Sequence, residues 1–472
     1  MATNADLVVL GAGPAGLAGA WQAARLGMSV VLLERAQAVG GMAASLDVAG
    51  VRVDRGSHRL HPTTPANVLG DLRVLLGDDL QLRRRNGRLR IADRWLGFPL
   101  RPIELAGALP PGLIARAGVE AIFTPLRHGR SISYADTLRR GLGPTLYETL
   151  YAPYAVKLWG RHGEEIDAEQ ARRRVSADTP WKIASRMLRP RPDGAGRTFY
   201  YPRRGFGQIV EALAEAAVKA GADIRLGAQV DDLAPDSDGV DIGVATLSAA
   251  GLPVGSSRVR GGHVFSTIPL PVLAKICRPG PPAIAIESAS HLRFRAMVLV
   301  YVVHRSRPWT PYDAHYIPDL NTPISRISEP ANYRESSADP RDRTVLCCEI
   351  PCALGDAIWE SSDEDLRAIV AETMARTGLP VLTSEETHVE RLPHVYPVYE
   401  VGYRRHLREI DAWAASVPHV TTFGRLGLFV HDNTHHTIAM AYDAVDAIAG
   451  GRFDDDAWAA ARARFETHVV ED

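Results

Sequence analysis

Short apolar runs and helical stretches alternate at the start of the chain, beginning with the apolar run at residues 7–10. A short, unbroken run of this kind, bounded by turn residues, is typical of a buried parallel strand. Residues 17–26 have the length and periodicity of a helix, and Gly27 ends it. A second apolar run at residues 29–33 predicts the next strand. The order of strand, helix and strand predicts an α/β fold with a parallel sheet.

The same pattern returns later in the chain. Residues 208–220 predict an amphipathic helix, and residues 221–226 predict a strand that extends the parallel sheet. Polar and β-branched residues alternate between turn residues at 231–262, which predicts a small antiparallel meander. Residues 295–303 predict a further strand. The chain is therefore expected to return to the parallel sheet after a long intervening segment.

The turn between the first strand and the helix has the glycine spacing of a dinucleotide-binding motif. Gly11 permits the tight turn, Gly13 lets a pyrophosphate approach the backbone, and Gly16 lets the helix pack closely on the strand. The helix N-terminus offers free N–H groups and a partial positive charge to the pyrophosphate. An acidic residue follows at the usual distance of about 20 residues, where it can bind a ribose hydroxyl. The predicted cofactor residues here are Gly11, Gly13, Pro14, Ala15, Gly16 and Glu34.

The composition is that of a large globular protein. The chain has 472 residues, of which 46% are hydrophobic, so it can bury a sizeable core in two or three domains. Its formal net charge of −1 gives no reason to expect a nucleic-acid partner. Four cysteines in so long a chain do not make a disulfide framework, and Cys347, Cys348 and Cys352 lie in an apolar, strand-like run. We expect these thiols to be core residues in a reducing compartment.

Targeting and membrane-spanning patterns are not evident. No charged segment followed by an apolar one precedes the first strand, so no signal peptide is expected. No apolar run reaches the roughly 18–20 residues of a bilayer span. The nearest, at residues 105–126, is interrupted by Pro110, Pro111, Arg116 and Glu120. We therefore expect a cytoplasmic protein that does not bind membranes, and an oligomer is possible.

A Gly-Gly pair follows Glu34 closely, in a segment that includes Arg35, Gly40, Gly41 and Met42. Together with the glycine turn, this segment resembles the flavoproteins that share the fold of amine oxidases, protoporphyrinogen oxidases and UDP-galactopyranose mutases. The resemblance covers nearly the whole chain. It implies that the dinucleotide is FAD, with NAD(P)H as a possible reductant, whereas the glycine turn alone does not separate FAD from NAD.

The resemblance also implies a domain organisation. It predicts a Rossmann-like FAD-binding domain of the glutathione-reductase type, formed by residues 1–75, 200–276 and 419–472. Residues 76–199 and 277–418 are expected to form an inserted α+β substrate domain. The FAD-binding domain would then be assembled from three separate segments.

Two further segments resemble parts of the family's FAD site. Residues 54–58 resemble the Asp-x-Gly-Gly-His segment that passes close to the isoalloxazine ring, and His61 follows them. Residues 423–438 resemble the segment that closes over the ribityl chain and pyrophosphate, with Thr437 as the expected N-cap of a helix. The cofactor residues that the resemblance implies are Arg35, Gly40, Gly41, Met42, Gly56, Ser57, His58, Gly424, Arg425, Thr437 and Ile438.

Three other segments resemble the substrate site of the mutase branch. Residues 151–160 match a Tyr-x-x-Lys-x-Trp-Gly segment, and one arginine of 172–174 is expected to contact phosphate. Arg326 matches an arginine that binds the substrate diphosphate, for which a guanidinium fork is well suited. The resemblance implies that His58, Arg326 and Tyr396 are catalytic and that Trp159, Arg174 and Tyr399 bind substrate. The residues alone also allow a packed aromatic helix, solvated arginines and a structural arginine on a strand.

Two enzymatic hypotheses follow. In the first, the protein acts on a nucleotide-activated sugar by pyranose–furanose mutase chemistry through N5 of reduced flavin. In the second, it is an FAD-dependent oxidase or dehydrogenase of a glycosyl or natural-product intermediate. The Arg326 segment favours the mutase, whereas Phe429 or His431 replaces a tyrosine that contacts phosphate in mutases, which favours the oxidoreductase. A flavin-binding protein without turnover is a third hypothesis, and the fold alone does not decide between them.

Histidines are concentrated near the C-terminus at His431, His435 and His436. His435 also takes a position that is acidic in the mutases. No cysteine or acidic set accompanies these histidines in the sequence, so no metal site is expected.

Overall fold

The computed structural model of the protein describes residues 3–98, 107, 110–123, 129–174, 198–383 and 386–470. Parts of the apolar run at 105–126 and of the predicted substrate domain, including residues 175–197, lie outside the described residues. The strands, in chain order, are β1 (Thr3–Leu10), β2 (Val30–Leu33), β3 (Ser45–Val48), β4 (Val51–Asp54), β5 (Leu80–Arg84), β6 (Gly87–Ile91), β7 (Arg94–Phe98), β8 (Thr198–Pro202), β9 (Asp223–Arg225), β10 (Ala228–Pro235), β11 (Val240–Leu247), β12 (Pro253–Ser266), β13 (Phe294–His304), β14 (Ala314–Tyr316), β15 (Arg326–Ser328), β16 (Thr344–Cys352), β17 (Thr387–Pro397) and β18 (Val420–Thr422).

Helices connect these strands and cover the sheets. The α-helices are α1 (Pro14–Arg25), α2 (Ala66–Leu76), α3 (Pro111–Phe123), α4 (Tyr134–Leu142), α5 (Pro144–Leu146), α6 (Ala152–Trp159), α7 (Ala168–Arg174), α8 (Gln208–Lys219), α9 (Leu270–Ile276), α10 (Ala283–His291), α11 (Ala357–Glu360), α12 (Asp363–Thr377), α13 (Tyr403–Ser416), α14 (Gly424–Gly427), α15 (Thr434–Ile448) and α16 (Asp455–Phe465). A π-helical turn, Tyr147–Tyr151, precedes α6, and 3₁₀ turns lie at Gly41–Ala43, Gly77–Asp79 and Pro330–Tyr333.

The first sheet is the α/β sheet that the opening pattern predicts. Its strands follow the order β10–β11–β12–β1–β2–β9, and β18 pairs with β12. β1 is parallel to both β2 and β12, so Leu7 pairs with Val30 on one side and with His263 on the other. β9 continues parallel to β2, and β10, β11 and β12 form the predicted antiparallel meander. The predicted Rossmann-like unit is therefore confirmed.

The second sheet is mostly antiparallel and follows the order β17–β13–β16–β15–β14–β6–β7. Its one parallel neighbour pair within this order is β14 with β6. The predicted strand at residues 295–303 is confirmed as β13, which lies between the edge strand β17 and β16. The chain alternates between the sheets, because β6 and β7 are followed by β9–β12 in the first sheet and then by β13–β17 in the second. This arrangement agrees with an α+β unit inserted into an α/β domain.

Helix α1 lies at the centre of the larger apolar core. It packs against β1 and β2 and against α8 and α15. A Cβ atom at Gly16 would lie 1.9 Å from the carbonyl oxygen of Gly11, so the helix approaches the strand as closely as the motif predicts. Gly19 lies against Phe265 and Phe423. The start of α1 is thereby fixed at the end of β1.

The strands of the second sheet carry a separate core. Apolar side chains of β13 and β16 pack against Leu366, Val370 and Met374 of α12. All four cysteines are free and buried, as the prediction of core thiols requires. Within the described part of the chain, no helix combines the length and apolar content that crossing a bilayer requires.

Candidate active site

The glycine turn forms an open cradle at the end of β1. Gly11 has a φ of +98°, and its N–H donates to the carbonyl of Leu33 at 2.9 Å. Gly13 has an ordinary φ of −76°, and a Cβ atom there would meet nothing within 4 Å. Neither backbone strain nor a protein neighbour therefore requires glycine at position 13. A ligand that lies against this backbone and the N-terminus of α1 would require it, as a pyrophosphate does.

Glu34 lies beside the cradle, directly after β2. Its carboxylate accepts backbone N–H hydrogen bonds from Ala12 at 2.7 Å and from Ala36 at 2.8 Å. The Gly-Gly pair completes this side, because Gly40 donates its N–H to the carbonyl of Ala12 at 2.7 Å. A Cβ atom at Gly41 would lie 3.6 Å from the Cα of Gly13. The two glycine segments predicted from the sequence thus adjoin one another.

Other predicted cofactor residues lie around the same cradle. Pro14 and Ala15 open α1, and Gly424 packs against Ala15, since its added Cβ would lie 3.0 Å from the Ala15 Cβ. Met42 is half-buried in the 3₁₀ turn, whereas Arg35 is exposed. Helix α14 therefore lies over the start of α1.

Helix α15 begins earlier than the sequence pattern predicts. Its first residue is Thr434, and Asn433 forms a capping box with His436. Thr437 as N-cap is therefore wrong, because the reciprocal contact between Asn433 and His436 already satisfies the helix start. Thr437 and Ile438 lie in the first turns and are buried.

The segment after β4 is held by a buried carboxylate. Asp54 accepts hydrogen bonds from the Tyr201 hydroxyl, from Ser45 Oγ at 2.6 Å and from the Phe206 N–H at 2.9 Å. The His58 ring stacks on Phe206 at 5.1 Å between centroids. Its Nε2 lies 2.9 Å from the Arg55 carbonyl, which can only accept, so the proton is on Nε2. Burial lowers the pKa of His58, and the imidazole is neutral.

Arg326 and Glu349 form a two-pronged ion pair next to this segment. Arg326 donates from Nε to Glu349 Oε1 at 2.9 Å and from Nη2 to Oε2 at 2.7 Å. The same carboxylate accepts the Ser57 N–H at 2.8 Å, and a Cβ atom at Gly56 would lie 3.5 Å from it. The Arg326 side chain is 19% exposed and that of Glu349 is 4% exposed. One edge of the Arg326 guanidinium is therefore occupied by a protein carboxylate.

Aromatic and basic side chains from four distant segments meet in a second cluster. The Tyr396 ring lies 5.4 Å from Trp159 and 6.1 Å from His431 between centroids, and Tyr399 lies 4.8 Å from His431. The Arg174 guanidinium lies 5.0 Å from the Trp159 ring and 4.9 Å from the Tyr396 ring. We call this set the basic aromatic cluster; its members are Trp159, Arg174, Tyr396, Tyr399, Arg425 and His431. It contains all three residues predicted to bind substrate.

Arg425 adds a half-buried positive charge to this cluster. Its guanidinium lies 5.1 Å from the Tyr396 ring and donates to the carbonyl of Val395 at 2.9 Å and to that of Asp432 at 3.3 Å. Its Nε is buried without a hydrogen-bond partner, and within the described residues it pairs with no carboxylate. Burial, together with the charge of Arg174, lowers the pKa of Arg425 to about 10. An anion beside Arg425 would offset the free-energy cost of keeping this guanidinium charged in a desolvated position.

His431 lies inside the cluster and is 1% exposed. Neither of its ring nitrogens has a hydrogen-bond partner. Burial and the neighbouring arginines lower the pKa of His431 far below its usual range, so the imidazole is neutral. Sequence reasoning named Phe429 or His431 as the replacement for a tyrosine, and it did not predict that His431 is a buried neutral base.

The predicted catalytic residues influence one another electrostatically. The charge of Arg326 lowers the pKa of His58, and Tyr396 raises the pKa of Arg326. Arg326 is therefore within electrostatic reach of both His58 and Tyr396. Sequence reasoning missed Glu349 and Phe206, which hold Arg326 and His58 in place. Neither belongs to a recognisable motif, and only the sheet order brings them to the site.

A family model places this geometry among known proteins. The model described as flavin containing amine oxidoreductase matches residues 14–425. The chain belongs to this family. Membership of this family indicates an FAD cofactor, in agreement with the open cradle at Gly13 and the positioned carboxylate of Glu34.

Solved structures show the same fold at low sequence identity. A reduced UDP-galactopyranose mutase aligns with a TM-score of 0.78 and 19% identity over 99% of this chain and 100% of its own. A candidate protoporphyrinogen oxidase from Exiguobacterium sp. 255-15 aligns with a TM-score of 0.72 and 18% identity over 96% and 100%. A putrescine oxidase bound to putrescine aligns with a TM-score of 0.65 and 17% identity over 95% and 100%. These structures share the fold and differ in the chemistry their names describe.

Relatives in mycobacteria have no described activity. Uncharacterised proteins of Mycobacterium tuberculosis and Mycobacterium bovis are 28% identical over 334 residues. The match covers 62% of this chain and 59% of each relative, so it spans less than two thirds of their length. Cellular location and oligomeric state stay predictions.

Proposed function

We propose that this flavoenzyme acts on a nucleotide-activated sugar by mutase-type rearrangement, with reduced flavin as the working state. The observation that carries the proposal is the pair of guanidinium groups, Arg174 and Arg425, on either side of Tyr396 in the basic aromatic cluster. Guanidinium groups bind phosphate oxygens, and aromatic rings pack against sugars and bases. A nucleotide diphosphate offers both features in one molecule.

The electrostatics of the cluster favour a dianionic group over a neutral one. Arg425 is half-buried and its Nε is buried without a hydrogen-bond partner, so its charge is only partly compensated by backbone carbonyls. Each charge-assisted hydrogen bond from a phosphate to such a group contributes about 1.5–3 kcal/mol. Since Glu349 already occupies one edge of Arg326, we assign the main diphosphate contact to Arg174 and Arg425 and retain Arg326 as a residue near the reacting sugar.

The protein's own residues supply binding, orientation and charge stabilisation in this scheme. Reduced flavin supplies an electron-rich nitrogen for attack at the anomeric carbon. Arg174 and Arg425 would hold the diphosphate and stabilise the charge that develops when its bond to the sugar breaks. Trp159 and Tyr396 would orient the sugar nucleotide. Neutral His58, whose Nε2 carries the proton, would offer Nδ1 as a hydrogen-bond acceptor.

The alternative is an FAD-dependent oxidase or dehydrogenase of a glycosyl or natural-product intermediate. The resemblance to mutases puts Phe429 or His431 at the position of a phosphate-binding tyrosine, and His431 lies among aromatic rings. The loss of that tyrosine is the observation that favours this alternative. In this case substrate would transfer a hydride to oxidised flavin, and the basic groups would bind an anionic part of the substrate.

One experiment separates the two functions. The purified flavoprotein is reduced anaerobically with dithionite or NAD(P)H and incubated with candidate nucleotide sugars. The mutase predicts conversion of a pyranose to a furanose with no net consumption of reductant. Stoichiometric bleaching of the oxidised flavin by substrate, with a carbonyl or unsaturated product, would instead establish the oxidoreductase.

The arginine assignment has a matched control on the same helix. We expect Arg174→Ala to raise the KM for the active nucleotide sugar about 10- to 150-fold, because one charge-assisted contact is lost. Arg172 is 55% exposed and pairs with Glu169, so Arg172→Ala should leave the KM unchanged. Equal effects of the two changes would remove Arg174 from the site.

A further inference from the structure

Three side chains that can ligate a metal ion meet where the C-terminal tail reaches the start of α15. One ligand atom from each of Asp432, His436 and His468 lies within 4.8 Å of the others. His468 follows α16, and only the fold brings it next to the other two. We infer that Asp432, His436 and His468 form a binding site for a divalent transition-metal ion of the Zn²⁺ class. This inference departs from the prediction of no metal site and does not depend on the proposed function.

The carboxylate is buried and oriented. Asp432 is 2% exposed, and its Oδ2 lies 2.5 Å from Nδ1 of His468. Its Oδ1 has no hydrogen bond and faces Arg173 Nη1 at 3.8 Å. Oδ2 is thus the oxygen that faces His468, and the Arg173 guanidinium lies on the Oδ1 side. A metal ion would replace the proton that His468 and Asp432 share.

The rings of His436 and His468 are stacked face to face. His436 and His468 stack with centroids 4.3 Å apart and an interplanar angle of 14°. The His436 Nδ1 accepts only a long contact of 3.3 Å from the Asn433 N–H, so its lone pair is weakly engaged. Two ligands of the same type and one carboxylate are a recurrent set for Zn²⁺, with a further position left for water.

A third imidazole supports the site independently. His435 is 1% exposed, and its Nδ1 has no hydrogen-bond partner. Its ring lies 4.1 Å from that of His436 between centroids. Such a buried, unsatisfied base beside two others is costly in a protein that binds nothing there.

The site would fasten the C-terminal tail to α7, the helix that ends at Arg174. Val470 donates its N–H to the carbonyl of Arg173 at 2.9 Å, and Arg173 contacts Glu466 at 3.2 Å. Arg173 directly precedes Arg174 of the basic aromatic cluster. A metal ion at His468 would therefore hold the tail against the helix that carries Arg174.

Metal binding is tested on the flavin-loaded protein after dialysis against chelator. Calorimetry with Zn²⁺ and absorption spectra with Co²⁺ should both show one equivalent bound per chain. His468→Ala and His436→Ala should each weaken binding at least about tenfold, since even outer-shell changes cost that much. His388→Ala is the control, because His388 is 46% exposed and lies elsewhere.

The tail provides a readout that is independent of activity. Zn²⁺ should protect the C-terminal residues from carboxypeptidase in the wild type and in His388→Ala, but not in His468→Ala. Absence of stoichiometric uptake by the wild type, or equal uptake by His468→Ala, would overturn the inference and leave a hydrogen-bonded histidine–aspartate pair.

Discussion

Truncating Arg326 would show whether its pairing with Glu349 stabilises the fold. Arg326→Ala removes two hydrogen bonds to Glu349, of 2.9 and 2.7 Å, and a longer one of 3.4 Å to the Ser57 carbonyl. It leaves Glu349, which is 4% exposed, with only the Ser57 N–H as a partner. Removing one member of a buried pair typically costs about 3–5 kcal/mol, because the remaining charge is uncompensated. We expect a loss of about 3 kcal/mol in the free energy of unfolding, at the lower end because Arg326 is 19% exposed.

Urea unfolding followed by far-ultraviolet circular dichroism measures this loss. Glu349→Ala combined with Arg326→Ala should cost less than the sum of the single changes, because no charge is left unpaired. Arg343→Ala is the control: its pair with Asp342 is 43% and 71% exposed, and we expect at most about 1 kcal/mol. Unchanged stability of Arg326→Ala with weaker substrate binding would refute the pairing argument and assign Arg326 to the substrate.

Three further predictions concern the cofactor, a buried amine and the thiols. Gly13→Val should yield colourless protein that releases no FAD on heating, whereas Gly70→Val, also at an open position, should stay yellow; a flavin-loaded Gly13→Val would remove the pyrophosphate from the cradle. Burial lowers the pKa of Lys157 to about 7 from its usual 10.5, so the unfolded state binds more protons between these pH values. The wild type should therefore gain up to roughly 4 kcal/mol of stability from pH 7 to pH 10 relative to Lys157→Met, and equal urea midpoint shifts would contradict this. The four buried cysteines should react with a thiol reagent only after unfolding, and fast labelling of native protein would show otherwise.

The FAD half of the molecule follows from local sequence. The motif at Gly11, Gly13 and Gly16 specifies the geometry of the turn. The spacing from this motif to Glu34 predicts where the next strand ends. Both depend on contacts within one strand–helix–strand unit, so periodicity and glycine placement are sufficient to predict them. The meander and β9 were predictable for the same reason.

Contacts between distant strands were not predictable in this way. Arg326 and Glu349 face each other because β15 pairs with β16, a register that single-sequence periodicity does not contain. The contact between Asp432 and His468 likewise depends on how α16 turns back on α15. Helix α15 starts at Thr434, before the position that the sequence pattern predicts with Thr437 as N-cap, because Asn433 already caps the helix.

The alternation of the chain between its two sheets has a consequence for how the molecule can be divided. Strands of the first sheet come from the beginning, middle and end of the sequence, and those of the second sheet come from the stretches between. No contiguous gene fragment therefore encodes either sheet alone. A single proteolytic cut would leave the two sheets connected at the other points where the chain passes between them. Expression of the N-terminal or C-terminal half alone would produce strands without their partners.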